Sequence, residues 1–342
     1  MIQYGVFLLM PSPLGESSPK VYARALEVAL AAEKLGFHSI WIAEHHFSNY
    51  GYVPRPLVMA SHIAAKTENI RIGTGVVVLP LHHPLIVAEE TAMVDILSNG
   101  RLEVGLGRGY QPYEFERFDQ KLSESRERWS EGVEILKKAW TVDTFCHEGK
   151  YYQFDNTTIF PRPIQKPHPP IWMVAQSEQS IIHAAINGLN VLTGGAGFPM
   201  DTLIAFRKLF DQNLITGTNV PIPKFGVQSK IYVASSYQEA REASEEALWN
   251  IRVSNSLRLG NQLVTDGMVG VVPMDKEPSR DELVDQYLIF GTPEHCAQKI
   301  QWMKDNIGLD LLNLDFWSGN LSHSRIIKSM ESFYSKVVPL IS

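Results

Sequence analysis

The 342-residue sequence is short of cysteine, of clustered positive charge and of long apolar runs, and each shortage excludes something. Its two cysteines, Cys146 and Cys296, lie far apart, so they form neither a disulfide framework nor a metal knuckle. Both are expected to pack as small buried hydrophobes in a reducing compartment. Lys and Arg number 31 against 37 Asp and Glu, a net charge of −6, and no basic cluster stands out. Nucleic acid and anionic membrane surfaces are therefore not expected as partners. The first apolar run stops at Pro11 and Pro13, too short for a signal peptide or a bilayer span, so a cytoplasmic location is the expectation. No GxGxxG follows the first strand, which argues against a tightly held dinucleotide.

What is present is an alternation of short β-rich runs with longer helical patterns, the signature of parallel strands and crossover helices. The β-runs fall at Tyr4–Met10, His38–Ala43, Ile70–Leu79, Leu102–Gly107, Ile171–Ala175, a short stretch near Val191, 225–234 and Leu309–Phe316. Helical spacing is predicted over 19–35, 55–67, 85–98, 123–140, 178–187, 200–213, 237–250, 293–306 and 322–338. Eight units in one series, with no linker between them, predict a single (β/α)₈ TIM barrel over 1–342; an open doubly wound sheet is the alternative. An inserted hairpin is expected around 151–160. The Gly- and Pro-bearing stretch 254–290 breaks the rhythm and is expected to be a long mobile loop before the last unit, a lid.

Barrel active sites lie at the C-terminal ends of strands. The second strand is followed by Glu44-His45-His46-Phe47, the third by His82-His83-Pro84, the fourth by Gly107-Arg108-Gly109 and the fifth by Gln176-Ser177. The two histidine pairs with Glu44 could ligate zinc or iron. Against that, adjacent residues leave a strand on opposite faces, and the spaced His-x-His pattern of barrel metallohydrolases is absent. No metal is expected. Arg108, flanked by glycines, suits a phosphate gripped through two parallel hydrogen bonds. Ser177 and Ser180 lie at a helix N-terminus, where free N–H groups favour an anion. Strands four and five are barrel neighbours, so these groups could hold one phosphomonoester. Phe7, Trp41, Phe115 and Trp317 are candidates for pocket lining or plain core, and Met268, Val269, Val271, Val272 and Met274 for contact with a lipophilic substrate.

The run Glu44-His45-His46-Phe47-Ser48-Asn49-Tyr50-Gly51 resembles the luciferase-like flavin-dependent monooxygenases, the catalytic α subunits above all. Val78-Leu79-Pro80, His83-Pro84, Gly100-Arg101, Arg108-Gly109, Val174-Ala175 and Gly291-Thr292-Pro293-Glu294 extend the resemblance along the chain. It implies FMN used as FMNH₂, delivered by a separate flavin reductase, with O₂ as co-substrate activated as a flavin C4a-peroxide and a small organic, lipophilic substrate. It further implies His45 as the catalytic histidine and Arg108 on the FMN phosphate; Glu44 either tunes or orients that histidine or pairs only with the barrel wall. Gln176, Ser177 and Ser180 would complete the cradle, and Gly75-Val76 would be a non-prolyl cis peptide under the flavin ring. Gly107 and Gly194 stand where luciferase carries a cysteine and a tryptophan; the first is expected to open room at the reacting edge. Homodimerisation through the early helices is implied, with Glu89, Tyr151 and Tyr152 as contacts. An oxidoreductase using the deazaflavin F420, a non-catalytic flavin-binding subunit and a metal-dependent barrel hydrolase are the competing readings.

Overall fold

The computed structural model describes residues 2–195, 198–215 and 222–342. Eight parallel strand positions close on themselves as a (β/α)₈ barrel. In chain order the strands are β1 (Gln3–Leu8), β2 (Ser39–Ile42), β3 (Arg71–Thr74) continued by β4 (Val77–Val78), β5 (Leu102–Gly107), an outlying antiparallel hairpin β6 (Phe145–Glu148) and β7 (Gln153–Thr157), then β8 (Ile171–Val174), β9 (Asn190–Gly194), β10 (Phe225–Val233), a second hairpin β11 (Leu263–Thr265) and β12 (Met268–Gly270), β13 (Ile289–Gly291) and β14 (Leu311–Asp315). The barrel runs β1-β2-β3/β4-β5-β8-β9-β10-β14 and closes where β14 pairs with β1, Leu312 opposite Tyr4. The short strand β13 adds to the upper end of β10.

The eight expected β-runs all find places in the barrel. The third is interrupted between Thr74 and Val77, where the Gly75–Val76 peptide is cis, as the resemblance implied. The helices are α1 (Ser18–Leu35), α2 (Pro56–Ala64), α3 (Pro84–Leu97), α4 (Pro112–Arg117), α5 (Ser125–Thr141), α6 (Glu178–Ile186), α7 (Met200–Asn213), α8 (Tyr237–Leu259), α9 (Arg280–Glu282), α10 (Pro293–Ile307) and α11 (His323–Ser332). The punctuation read from sequence explains their ends. Gly36 closes α1 in the left-handed region with φ of 91°, and Thr292 caps α10 by accepting from the His295 N–H, with Pro293 in the first turn. No helix among the described residues is long and apolar enough to cross a membrane.

Two apolar cores result. The larger fills the layer between barrel and helices, which is why the strands read as continuous apolar runs. The smaller lies inside the barrel around Trp41, Trp172, Phe7 and Leu192. Trp41 and Trp172 meet edge to face at 5.2 Å, and Trp41 occupies the space left by Gly73, where a Cβ would come within 2.4 Å of its indole. This inner core rises past Leu9 and Tyr50 to Val253 and Leu257 of α8 and Val269 of β12.

The stretch 254–290 departs from expectation. It is not a long loop: it carries the last turn of α8, the β11–β12 hairpin, α9 and β13. Asn49 stitches the hairpin down, donating its N–H to the Gly267 carbonyl at 2.8 Å and accepting from the Val269 N–H at 2.8 Å. Arg252 grips Glu277 through two hydrogen bonds of 2.7 and 2.6 Å. Asn49 and Arg252 lie outside the stretch, so local sequence gave no sign of them. Cys296 is buried as expected, but Cys146 is exposed on β6, the outer hairpin strand whose side chains alternate between packing and solvent.

Candidate active site

A cavity of about 890 Å³ opens at the C-terminal ends of the strands. Its walls include all nine residues singled out from sequence: Glu44, His45, Gly75, Val76, Gly107, Arg108, Gln176, Ser177 and Ser180. Of the aromatic candidates only Phe7 lines it; Trp41, Phe115 and Trp317 are buried core. From the 254–290 stretch Met274 faces the cavity, as do Ser254, Asn255, Arg258, Lys276, Pro278 and Tyr287. Val269 packs in the inner core instead, and Val271 is exposed.

One section of the wall is cationic. Arg108, at the end of β5, and Arg126, in the first turn of α5, both face the cavity, and neither has a carboxylate within ion-pairing distance among the described residues. Burial and the nearby Arg126 both lower the pKa of Arg108. Pairing of β5 with β8, Leu106 opposite Met173, brings Gln176 and the N-terminus of α6 alongside. Ser177 and Ser180 form a reciprocal capping box: the Ser177 hydroxyl accepts from the Ser180 N–H, and the Ser180 hydroxyl accepts from the Ser177 N–H at 3.0 Å. Both hydroxyls are thus committed to the helix end, while the next N–H groups of its first turn lack intrahelical acceptors. Gln176 accepts from Arg258 of α8 at 3.2 Å, and that guanidinium lies over the Tyr110 ring, 4.9 Å from its centroid.

A second section is imidazole and carboxylate. Glu44 does not contact the His45 ring. Its Oε1 takes hydrogen bonds from His46 Nε2 at 2.9 Å and His82 Nε2 at 2.7 Å, and its Oε2 accepts from the Val78 N–H at 3.0 Å. Burial raises its pKa, but the bonds from His46 and His82 win and hold the carboxyl down at about 2. Of the two roles open to Glu44, orienting His45 or pairing with the barrel wall, these contacts fit the second: it ties β2 to β4 and to the loop before α3. His82 is consumed by Glu44 and Arg55, and His83 accepts from the Leu85 N–H as the cap of α3.

The carboxylate at His45 is Glu114, on α4. Its Oε1 lies 3.2 Å from His45 Nδ1 and accepts from the His46 N–H at 2.9 Å. Gln111 Nε2 is 3.0 Å from the same Nδ1 and 3.2 Å from the Tyr110 hydroxyl. Tyr50 is buried and Tyr110 partly so, and burial raises both pKa values, so both stay protonated at neutral pH. Glu114, Gln111 and Tyr110 were missed in the sequence; the one available signal was their position just after the Gly107-Arg108-Gly109 strand end.

The third section is apolar. A Cβ on Gly107 would lie 2.3 Å from Val76 Cγ2. The missing side chain does not open room at this edge, as expected from sequence, because Val76 already fills it. Gly194 has φ of 90°, and a Cβ there would meet the Gln228 carbonyl oxygen at 2.7 Å, so a larger residue would need a different backbone. The neighbouring residues 196 and 197 of the same glycine-rich stretch lie outside the described residues.

A family model described as luciferase-like monooxygenase matches residues 2–310. The oxygenase component of a flavin-dependent trigonelline monooxygenase from Acinetobacter baylyi is 32% identical, with 100% of this chain and 96% of that one covered. The alkanal monooxygenase alpha chain of Photobacterium leiognathi is 25% identical over 96% of this chain and 95% of its own. Among solved structures, the monooxygenase RslO1 from Streptomyces bottropensis superposes with a TM-score of 0.86 at 27% identity, each chain covered in full. The chain therefore belongs to the luciferase-like monooxygenase family and is a flavin-dependent monooxygenase.

Proposed function

We propose that this chain is the oxygenase component of a two-component system, taking FMN in its reduced form from a separate reductase and oxygenating a small organic substrate. The observation that carries this reading is the pair of guanidiniums, Arg108 and Arg126, unpaired among the described residues beside the N-terminus of α6. Unpaired cations converging on one cavity wall suit a phosphate dianion. The 32% identical relative is itself named an oxygenase component, which supports a separate source of reduced flavin.

When bound, reduced flavin would supply the electrons that activate dioxygen. Arg108, Arg126, Gln176 and the first turn of α6, with Ser177 and Ser180 shaping its end, would hold the phosphate. Gly75, Val76 and Gly107 form the flat apolar wall suited to a ring system. His45 exchanges a proton with the reacting oxygen or the substrate. Glu44 keeps β2 and β4 in register behind it. Ser254, Met274 and Pro278 cover the cavity from the 254–290 side as a lid that keeps water out. Phe7, Leu9, Met173 and Ile251 give the remaining space an apolar lining, which supports a substrate of lipophilic character.

Homodimerisation is part of the same reading. Ile86, Met93 and Leu97 are exposed on α3 and Val58 on α2, an apolar surface that a partner copy would cover, with Glu89 exposed among them. Tyr151 is committed to its own chain by its hydrogen bond to Glu127. An anaerobic titration with reduced FMN, followed by flavin fluorescence and repeated with reduced F420, tests the cofactor. Tighter binding of FMN is expected; tighter binding of F420 overturns the assignment.

A further inference from the structure

The carboxylate that works with His45 is the one the sequence did not single out. We propose that Glu114 is the positioning residue for His45: it holds the ring in the tautomer with its proton on Nδ1 and its free lone pair on Nε2. This rests on the reading that His45 handles a proton at the flavin site.

The hydrogen-bond geometry requires a choice. Glu114 Oε1 and Gln111 Nε2 both lie within hydrogen-bond reach of Nδ1, at 3.2 and 3.0 Å. One nitrogen cannot donate to the carboxylate and accept from the amide at once. A buried carboxylate facing a nitrogen lone pair at this distance is strongly unfavourable, whereas a neutral amide can turn over. Glu114 is 2% exposed and its position is fixed, because the same Oε1 accepts from the His46 N–H at 2.9 Å. The side chain of Gln111 is not fixed in this way: its Oε1 is buried without a partner as placed. With the amide turned, its oxygen faces both the Nδ1–H and the Tyr110 hydroxyl. Glu44, the other carboxylate nearby, is taken by His46, His82 and Val78.

Nε2 of His45 has no hydrogen bond among the described residues and is not sealed from solvent. The ring borders the main cavity and also a shallow surface groove lined by Tyr22, Phe47, Tyr52 and Met268. A proton taken up at Nε2 gives an imidazolium whose charge the Glu114 carboxylate balances through Nδ1–H. Release from Nε2 restores the starting tautomer, so protons and charge return to where they began.

The test is ¹⁵N NMR of the His45 ring in the flavin-free protein at a pH where the ring is neutral. Wild-type protein is expected to show Nδ1 protonated and Nε2 bare; the opposite tautomer in wild type overturns the proposal without any variant. In Glu114→Gln the Nε2–H form is expected to gain at least about tenfold in population, and substrate oxygenation to fall about 10- to 100-fold, the usual cost of losing a partner that orients a working histidine. Glu114→Asp is expected to restore the wild-type tautomer. An unchanged tautomer in Glu114→Gln reduces Glu114 to an acceptor for the His46 N–H and overturns the proposal. Because the spectrum needs no flavin, its outcome is separate from that of the FMN titration.

Discussion

The cationic and the imidazole sections of the cavity wall handle charge in opposite ways. Around Arg108 and Arg126 the positive charges are left without protein counter-ions among the described residues. Around His45 every carboxylate is engaged: Glu44 by His46, His82 and Val78, Glu114 by His45 and His46. Under the proposed function, the unbalanced charge of the first section is completed by a bound phosphate, and the balanced charge of the second fixes where protons sit. One barrel rim serves both because each strand end contributes a different loop.

Substitutions can break either side of this contrast. The largest effect is expected from His45→Ala, which should lower oxygenation by about 10²- to 10⁴-fold, the usual contribution of a proton-transfer group. Flavin affinity should be unchanged; equal turnover in variant and wild type would remove His45 from the chemistry. Glu44→Ala should cost about 3–5 kcal/mol of stability, because it strands two imidazoles and a backbone N–H in a buried site. A denaturant midpoint measures this, and a midpoint near wild type would show that the network is not structural. The same carboxyl gives stability a pH dependence. Its pKa is held at about 2 in the folded chain against 4.5 for a free carboxyl, so its contribution is complete above about pH 4.5 and is lost as pH falls towards 2.

On the binding side, Arg108→Ala should weaken reduced FMN by about 1.5–3 kcal/mol, the loss of a charge-assisted hydrogen bond, with oxygenation preserved at saturating flavin. Unchanged affinity by fluorescence titration would move the phosphate elsewhere. The smallest effect belongs to the apolar wall: Gly107→Ala should cost about 1–2 kcal/mol of stability through overpacking against Val76. A variant as stable as wild type would show that Val76 yields readily.

How much of this was legible in the sequence depends on how local each determinant is. Strands such as Ser39–Ile42 announced themselves because both faces are covered and every residue is apolar or small. Arg108, Gln176 and Ser177 could be placed because a barrel puts every strand end on one rim. Glu114 could not, since nothing in Pro112-Tyr113-Glu114-Phe115 says that a charged residue on a six-residue helix turns inward. Only its contact with a histidine 69 positions away does so. The stretch 254–290 looked irregular for a similar reason: Asn49 and Arg252, which pin it, lie outside it. Gly107 was misjudged because an absent side chain was taken for empty space, when the space belonged to Val76 in the break between β3 and β4.

That last relation has a practical side. Val76 and Gly107 behave as complementary halves of one volume, the methyl groups of the first resting where the second has none. Position 107 therefore has little substitution freedom of its own, and side chains larger than alanine there would press further into Val76. Varied jointly, as in Val76→Gly with Gly107→Val, the two positions would transfer the bulk from the break between β3 and β4 to the end of β5. Such a swap would re-sculpt the contour of the cavity wall while leaving the capacity of the chamber almost unaltered.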